Sequence, residues 1–248
     1  MRIDPFFQRS NSQIHFTRQQ ASDFAKQIAD DFNPLHNIDA KRFCVPGDLL
    51  FALVLFEFGL SQHMHFRFSG MVTDTTNLLL PSPTDNPLVL KDSQGKNYLD
   101  ITRSGSHSTS TELISRLVQQ YVTFSGSTFP HVLVPLLEQQ NVMINQDKPM
   151  VIYQSMLIDL ATCALNAPVL RANSAQTTLQ IDGKRGKVCL AFDVIDGDAV
   201  VGRGEKHMLL SGLCPYDATA ARALAEEYAL WKSRYLNRSG PATGQSES

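Results

Sequence analysis

The segment Leu49-Leu50-Phe51-Ala52-Leu53-Val54-Leu55-Phe56 is apolar at every position. Pro46-Gly47-Asp48 precedes it and Gly59 follows it. Read as a helix, it has no polar stripe, and a helix that is apolar all round must be buried all round. The apolar run from Leu49 to Leu60 is about twelve residues long and contains Glu57, whereas a membrane span needs about twenty. The segment is therefore predicted to be the centre of a domain, and the usual wrapper for one buried helix is a curved sheet.

The rest of the chain supplies strands. His65-Phe66-Arg67-Phe68 alternates, and Leu78–Leu80 and Leu88–Leu90 are short apolar runs bounded by prolines. Leu88 to Ile101 reads as a hairpin about Ser93-Gln94-Gly95. Val188, Leu190, Phe192 and Val194 keep strict alternation. Turns at Asp182-Gly183 and Asp196-Gly197-Asp198 make 178–210 an antiparallel meander. Helices are expected over Arg18–Asp30, with Thr17 and Gln20 as a capping box, from about Glu112, over Asp217–Tyr235, and over the apolar stretch Met150–Leu165 behind Pro149. Arg103–Thr111 reads as a polar loop. Asn237–Ser248 is Ser/Gly/Pro-rich and is expected to be disordered.

The bulk properties exclude several functions. The chain has 248 residues, 43% hydrophobic and 19% charged, with a formal net charge of −2. This is ordinary globular composition, with no basic field for nucleic acid or an anionic membrane. The N-terminus lacks the pattern of a signal peptide, so a cytoplasmic protein is expected. Cys44, Cys163, Cys189 and Cys214 show no CxxC spacing and read as reduced thiols. Neither GxGxxG nor a Walker loop is present, and no cofactor or metal is expected.

The candidate chemistry lies just before the apolar helix. Asp31-Phe32-Asn33-Pro34-Leu35-His36 sets a carboxylate and an imidazole five residues apart in a segment that proline makes irregular. The structural alternative is a helix-ending turn in which Asp31 caps backbone N–H groups. Elsewhere, Ser104–Ser110 with His107 lacks a nucleophile elbow. His63 and His65 lack a third metal ligand. Asp159 is expected to be paired, and Glu205 and His207 are expected to face solvent or the partner sheet.

From Phe16 to about Gly59 the sequence resembles the hydratase segment of the hot-dog fold, the MaoC-like or (R)-specific enoyl-CoA hydratase group. The resemblance rests on Phe16-Thr17, Phe24-Ala25, the Asp31–His36 hexapeptide, Arg42-Phe43 and Pro46-Gly47. It implies an α+β double hot-dog, with antiparallel curved sheets each wrapped around a buried apolar helix. The halves would be 1–111 and 112–236, and the protein a monomeric pseudo-dimer or a homodimer. It implies a hydratase or dehydratase acting on an enoyl thioester of CoA or acyl carrier protein. Asp31 and His36 would be catalytic, Gly47 would supply an oxyanion N–H, and Asn33 would brace the turn. A non-catalytic acyl-thioester-binding protein and a thioesterase are the alternatives. Four positions depart from the family pattern: Asp30 and Cys44 replace glycines, Pro46 replaces a histidine, and Asp48 adds a carboxylate beside the oxyanion position.

Overall fold

A computed structural model describes residues 1–145 and 150–239. The chain begins with a small hairpin, β1 (Gln8–Ser10) and β2 (Gln13–His15), and then α1 (Arg18–Asp23). Thr17 and Gln20 form the expected capping box. The following residues Phe24–Ile28 widen into one π turn, so the helix expected to run regularly to Asp30 changes pitch at Phe24. Asp30, at φ +55°, ends it.

The apolar helix α2 (Gly47–Phe58) ends at Gly59, φ +77°. Leu49 through Leu55 are all at most 2% exposed. It leads directly into β3 (Leu60–Phe68), followed by β4 (Asn77–Leu79), β5 (Leu88–Lys91) and β6 (Asn97–Ser108). The expected hairpin is present, since Leu88 pairs with Ile101. The polar stretch read as a loop is instead the second half of β6: Ser108 pairs with Leu60 and Ser104 with His63. A ladder needs only backbone groups, so a Ser/Thr/Gly-rich segment with little apolar signal can still pair.

Helix α3 (Thr111–Gly126) starts at an N-cap Ser110 whose hydroxyl accepts from the Leu113 N–H. Two short helices, α4 (Thr128–His131) and α5 (Leu133–Gln139), then β7 (Val142–Ile144), lead to β8 (Met150–Leu160). Here the sequence reading fails: the stretch from Met150 is a strand rather than a helix, and Pro149 lies outside the described residues. The run contains Val151, Ile152, Tyr153 and Ile158, residue types that favour strands. Met156, Ile158 and Leu160 are buried while Leu157 and Asp159 are only partly so, which is period two. A short apolar run does not by its own pattern separate a buried helix from a buried strand. The second central helix is α3, which is amphipathic: Leu113, Leu117, Val118 and Tyr121 are buried, and the Tyr121 ring lies 4.6 Å from Phe51 on α2.

The meander follows as β9 (Val169–Ala172), β10 (Thr178–Asp182), β11 (Arg185–Asp196) and β12 (Ala199–Ser211). β13 (Leu213–Pro215) pairs with β7, and α6 (Ala218–Ser239) closes the chain. α6 continues through 237–239, into the stretch expected to be disordered, and 240–248 lie outside the described residues.

Among the described residues, eleven strands form one continuous sheet in the order β1-β2-β4-β5-β6-β3-β8-β12-β11-β10, with β9 on β11, and β7 and β13 form a separate two-stranded sheet. The join is β3 with β8, where Met64 pairs with Ile158. Both central helices lie against the inner face of this antiparallel sheet, and the main apolar cluster holds residues of α2, α3, β3, β6, β8 and β11 together. The fold is α+β and of hot-dog type. A smaller cluster lies under α5, with Leu133, Leu137, Val188 and Leu210. Among the described residues no helix is long and apolar enough to cross a membrane.

Candidate active site

The hexapeptide folds as a stitched turn. The Asp31 N–H donates to Ala25 O at 2.8 Å. Asp31 Oδ1 accepts from the Asn33 N–H at 2.8 Å, and Asn33 Oδ1 accepts from the Leu35 N–H at 3.1 Å. Pro34–His36 is then one 3-10 turn. The Asn33 side chain caps this short turn.

This turn brings the two predicted residues together. His36 Nε2 lies 3.6 Å from Asp31 Oδ2. The other imidazole nitrogen, Nδ1, is 2.7 Å from Cys44 O. A carbonyl only accepts, so Nδ1 carries a hydrogen and Nε2 is the nitrogen aimed at the carboxylate. The side chains are 11% and 22% exposed: sheltered, but within reach of solvent. Cys44 contributes its backbone here. Its N–H donates to Leu35 O at 3.0 Å, and burial pushes its thiol up to about 11, which leaves it protonated and unsuited to nucleophilic attack.

The Asp30 position, where the resembling family has glycine, keeps the glycine-like backbone. Aspartate tolerates a positive φ better than most residues. Its carboxylate pairs with Lys232 on α6. The same helix holds the next residue: the Phe32 N–H donates to the Tyr228 hydroxyl at 3.0 Å, and the Phe32 ring meets Tyr228 and Tyr235 edge-on. Tyr228 and Tyr235 of α6 therefore pack on their own chain, directly over the hexapeptide.

Gly47 opens α2, with Pro46 as N-cap and no side-chain cap. The space beside its Cα is occupied: a Cβ there would lie 2.6 Å from the Tyr153 ring and 3.3 Å from Phe68. Asp48, in the first turn of α2, is buried. Its Oδ2 accepts from the Ser125 hydroxyl at 2.5 Å, Lys206 Nζ lies 3.9 Å from Oδ1, and Oδ1 has no hydrogen-bond partner. Lys206 also donates to Ser125 Oγ and sits 4.4 Å over the Tyr153 ring, whose hydroxyl bonds that of Tyr121. Burial holds the Asp48 carboxyl above the usual range. Lys206 and Ser125 oppose the shift, Asp31 adds to it and His36 opposes it. Burial likewise raises both tyrosines. This buried network joins α2, α3, β8 and β12, and its Asp48 feels the charges of Asp31 and His36. The sequence reading missed it, although Lys206 stands at an inward position of an alternating strand, between Gly204 and Met208, and an inward lysine needs a partner.

Other predicted positions fall elsewhere. Asp159 is on β8 and is paired, as expected, with His63 at 2.6 Å and Arg203 at 3.5 Å. His107 is held to Phe58 O at 2.9 Å. A cleft of about 220 Å³ opens between α4–α5 and the β9–β11 region, and neither Asp31 nor His36 lines it.

These features define a hot-dog-type protein with a sheltered Asp/His pair at the mouth of its central helix. Residues 1–219 match the family described as "Protein of unknown function (DUF3581)", and the chain belongs to that family. No curated protein matches it in sequence. Among solved structures, it is similar to a conserved protein of unknown function with hot-dog fold from Alicyclobacillus acidocaldarius, at 10% identity and a TM-score of 0.43, covering 86% of this chain and 98% of that one. It is also similar to a protein from Lactobacillus plantarum provisionally described as an oleoyl thioesterase, at 7% identity and a TM-score of 0.37, covering 61% and 76%. Nearly all of α6 lies beyond the matched family residues.

Proposed function

We propose that the protein is a hydratase or dehydratase acting on an enoyl thioester of CoA or acyl carrier protein, with Asp31 and His36 as its proton-transfer pair. The observation that carries this reading is the separation of 3.6 Å between His36 Nε2 and Asp31 Oδ2. That is long for a direct hydrogen bond and suited to a water held by both. In the proposed step the water oxygen bonds the β-carbon and one water proton passes to the pair. The double-bond electrons move toward the thioester oxygen, and a proton from the pair then bonds the α-carbon. The sum is addition of one water. The Cys44 carbonyl fixes which imidazole nitrogen takes part, and the first turn of α2 directs its N–H dipoles toward the developing oxyanion.

One observation favours a second reading, acyl-thioester binding without turnover. Tyr153 and Phe68 fill the space beside Gly47, and the Asp48 carboxyl lies in the first turn of the same helix.

The test is hydration of crotonyl-CoA and longer enoyl-CoAs, followed by loss of enoyl absorbance. Turnover that falls at least about 100-fold in Asp31→Ala and in His36→Ala supports the hydratase. Absence of turnover at every chain length rejects it. Binding that survives Asp31→Ala in a protein without turnover supports the second reading, and Asp31-dependent release of free CoA would instead make the protein a thioesterase.

A further inference from the structure

The outer face of the sheet carries a group of side chains that the proposed reaction does not use. β11 and β12 pair so that Cys189 stands opposite His207 and Ala191 opposite Glu205. Strand alternation puts Cys189, Glu205 and His207 on one face, away from the core that receives Val188, Leu190, Lys206 and Met208. A thiol, a carboxylate and an imidazole thus converge from two neighbouring strands. One ligand atom from each lies within 4.8 Å of the others. His207 Nε2 is already 3.0 Å from Glu205 Oε2. All three residues are half-buried.

We propose that Cys189, Glu205 and His207 form a metal site for zinc or a zinc-like divalent transition metal. The donor set decides the class. Sulfur with imidazole nitrogen and one carboxylate oxygen suits zinc, whereas magnesium and calcium prefer oxygen alone. With bonds of about 2.0–2.3 Å, tetrahedral ligand atoms stand roughly 3.3–3.8 Å apart. The ligand atoms, all within 4.8 Å of one another, need to close by at most about 1 Å, which side-chain rotation on a fixed ladder can supply. Three protein ligands leave the fourth position to water. Binding replaces the thiol proton of Cys189 by the metal ion.

The two strands are rigidly framed, which favours a pre-set site. β11 is paired on both sides, with β12 and with β10, where Thr178 stands opposite Cys189. β12 is paired with β11 and β8, where Ser155 stands opposite His207. The pairing, and not a flexible loop, sets the distance between the ligand-bearing backbones.

The experiment titrates the reduced, full-length protein with cobalt(II), followed by zinc competition. One equivalent of cobalt should give a thiolate-to-metal charge-transfer band and intense visible bands of a tetrahedral ion, both removed by zinc. Cys189→Ser should abolish the charge-transfer band. His207→Ala and Glu205→Gln should weaken binding at least about tenfold, while Cys214→Ser, at a thiol on a different sheet, should leave the titration unchanged. Far-ultraviolet circular dichroism of each variant checks folding, and equilibrium dialysis of zinc against wild type provides a second readout. No stoichiometric cobalt or zinc binding, a band that persists in Cys189→Ser, or equal affinity in all variants overturns the proposal.

Discussion

Gly126, the last residue of α3, lies so close to Ala29 that a Cβ on it would be 1.8 Å from the Ala29 carbonyl oxygen and 3.2 Å from the Asp31 nitrogen. The second central helix therefore ends against the peptide groups that set the Asp31 backbone. Its neighbour Ser125 holds Asp48, so two consecutive residues of α3 tie the end of this helix both to the hexapeptide and to the start of α2. Gly126→Ala should push this contact apart, since the obstacle is backbone and cannot swing aside. Forced overpacking of this kind costs about 1–3 kcal/mol. The expected results are a lower melting temperature and faster amide exchange over 29–36. Unchanged exchange there would mean that the turn is held independently of α3.

The buried trio Asp48, Ser125 and Lys206 predicts non-additivity. Asp48→Asn leaves Lys206 buried without its ion-pair partner, and breaking a buried pair on one side costs about 3–5 kcal/mol. Asp48→Asn with Lys206→Met removes both charges and should recover much of that loss. Denaturant melts of the singles and the double measure the coupling, and equal destabilisation in single and double would refute it. The pH dependence has a definite sign. The folded-state pKa of Asp48 is raised, so between the ordinary carboxylate range and the raised value the folded state holds more protons than the unfolded one. Stability contributed at this site falls as pH rises through that window, and Asp48→Asn should remove this component.

The pattern of what was legible in the sequence has physical causes. The all-apolar run at Leu49–Phe56, opened by Pro46-Gly47 and closed by Gly59, reads as a buried helix and the alternation at Val188–Val194 as a meander, while the hot-dog type rests on the resemblance carried by residues 16–59. The stretch from Met150 could not, because a short apolar run buried in a central strand has the same hydrophobicity as one in a buried helix. Arg103–Ser108 was missed for the opposite reason: its pairing is carried by backbone groups that leave no trace in side-chain pattern. Local spacing could bring Asp31 and His36 together, because one 3-10 turn joins them. It could not reveal Ser125, Lys206 or Tyr228, whose contacts with the α2 start and the hexapeptide span 77 to 196 residues of chain.

Tyr228 predicts how α6 is held. Its hydroxyl accepts from the Phe32 N–H in a buried setting, and burial raises its own pKa, with the Asp31 carboxylate adding to the shift. Tyr228→Phe leaves that N–H without its acceptor, at a cost of about 1–3 kcal/mol. The loss should concentrate in α6 and the hexapeptide. Hydrogen exchange should accelerate over 218–239 and 30–36 while β11 and β12 keep their protection. A uniform change across the sheet would show that α6 is part of one cooperative unit with it.

Asp30→Gly isolates the backbone effect of the departure beside the proposed catalytic aspartate. Aspartate at φ +55° carries a conformational cost that glycine does not, on the order of 1 kcal/mol for a non-glycine residue in that region. Against it stands the Lys232 pair, whose two side chains are 41% and 42% exposed, and such exposed pairs contribute about 0–1 kcal/mol. Glycine also gives the unfolded chain more freedom. The three effects nearly offset, so the melting temperature of Asp30→Gly should stay close to wild type. Lys232→Ala, which keeps the strained backbone and loses the pair, should be the less stable of the two. If the proposed hydratase reading holds, Asp30→Gly also removes a carboxylate adjacent to Asp31 without moving the turn, and activity should be retained. A collapse of activity with an unchanged melting temperature would place Asp30 in the proton-transfer machinery itself.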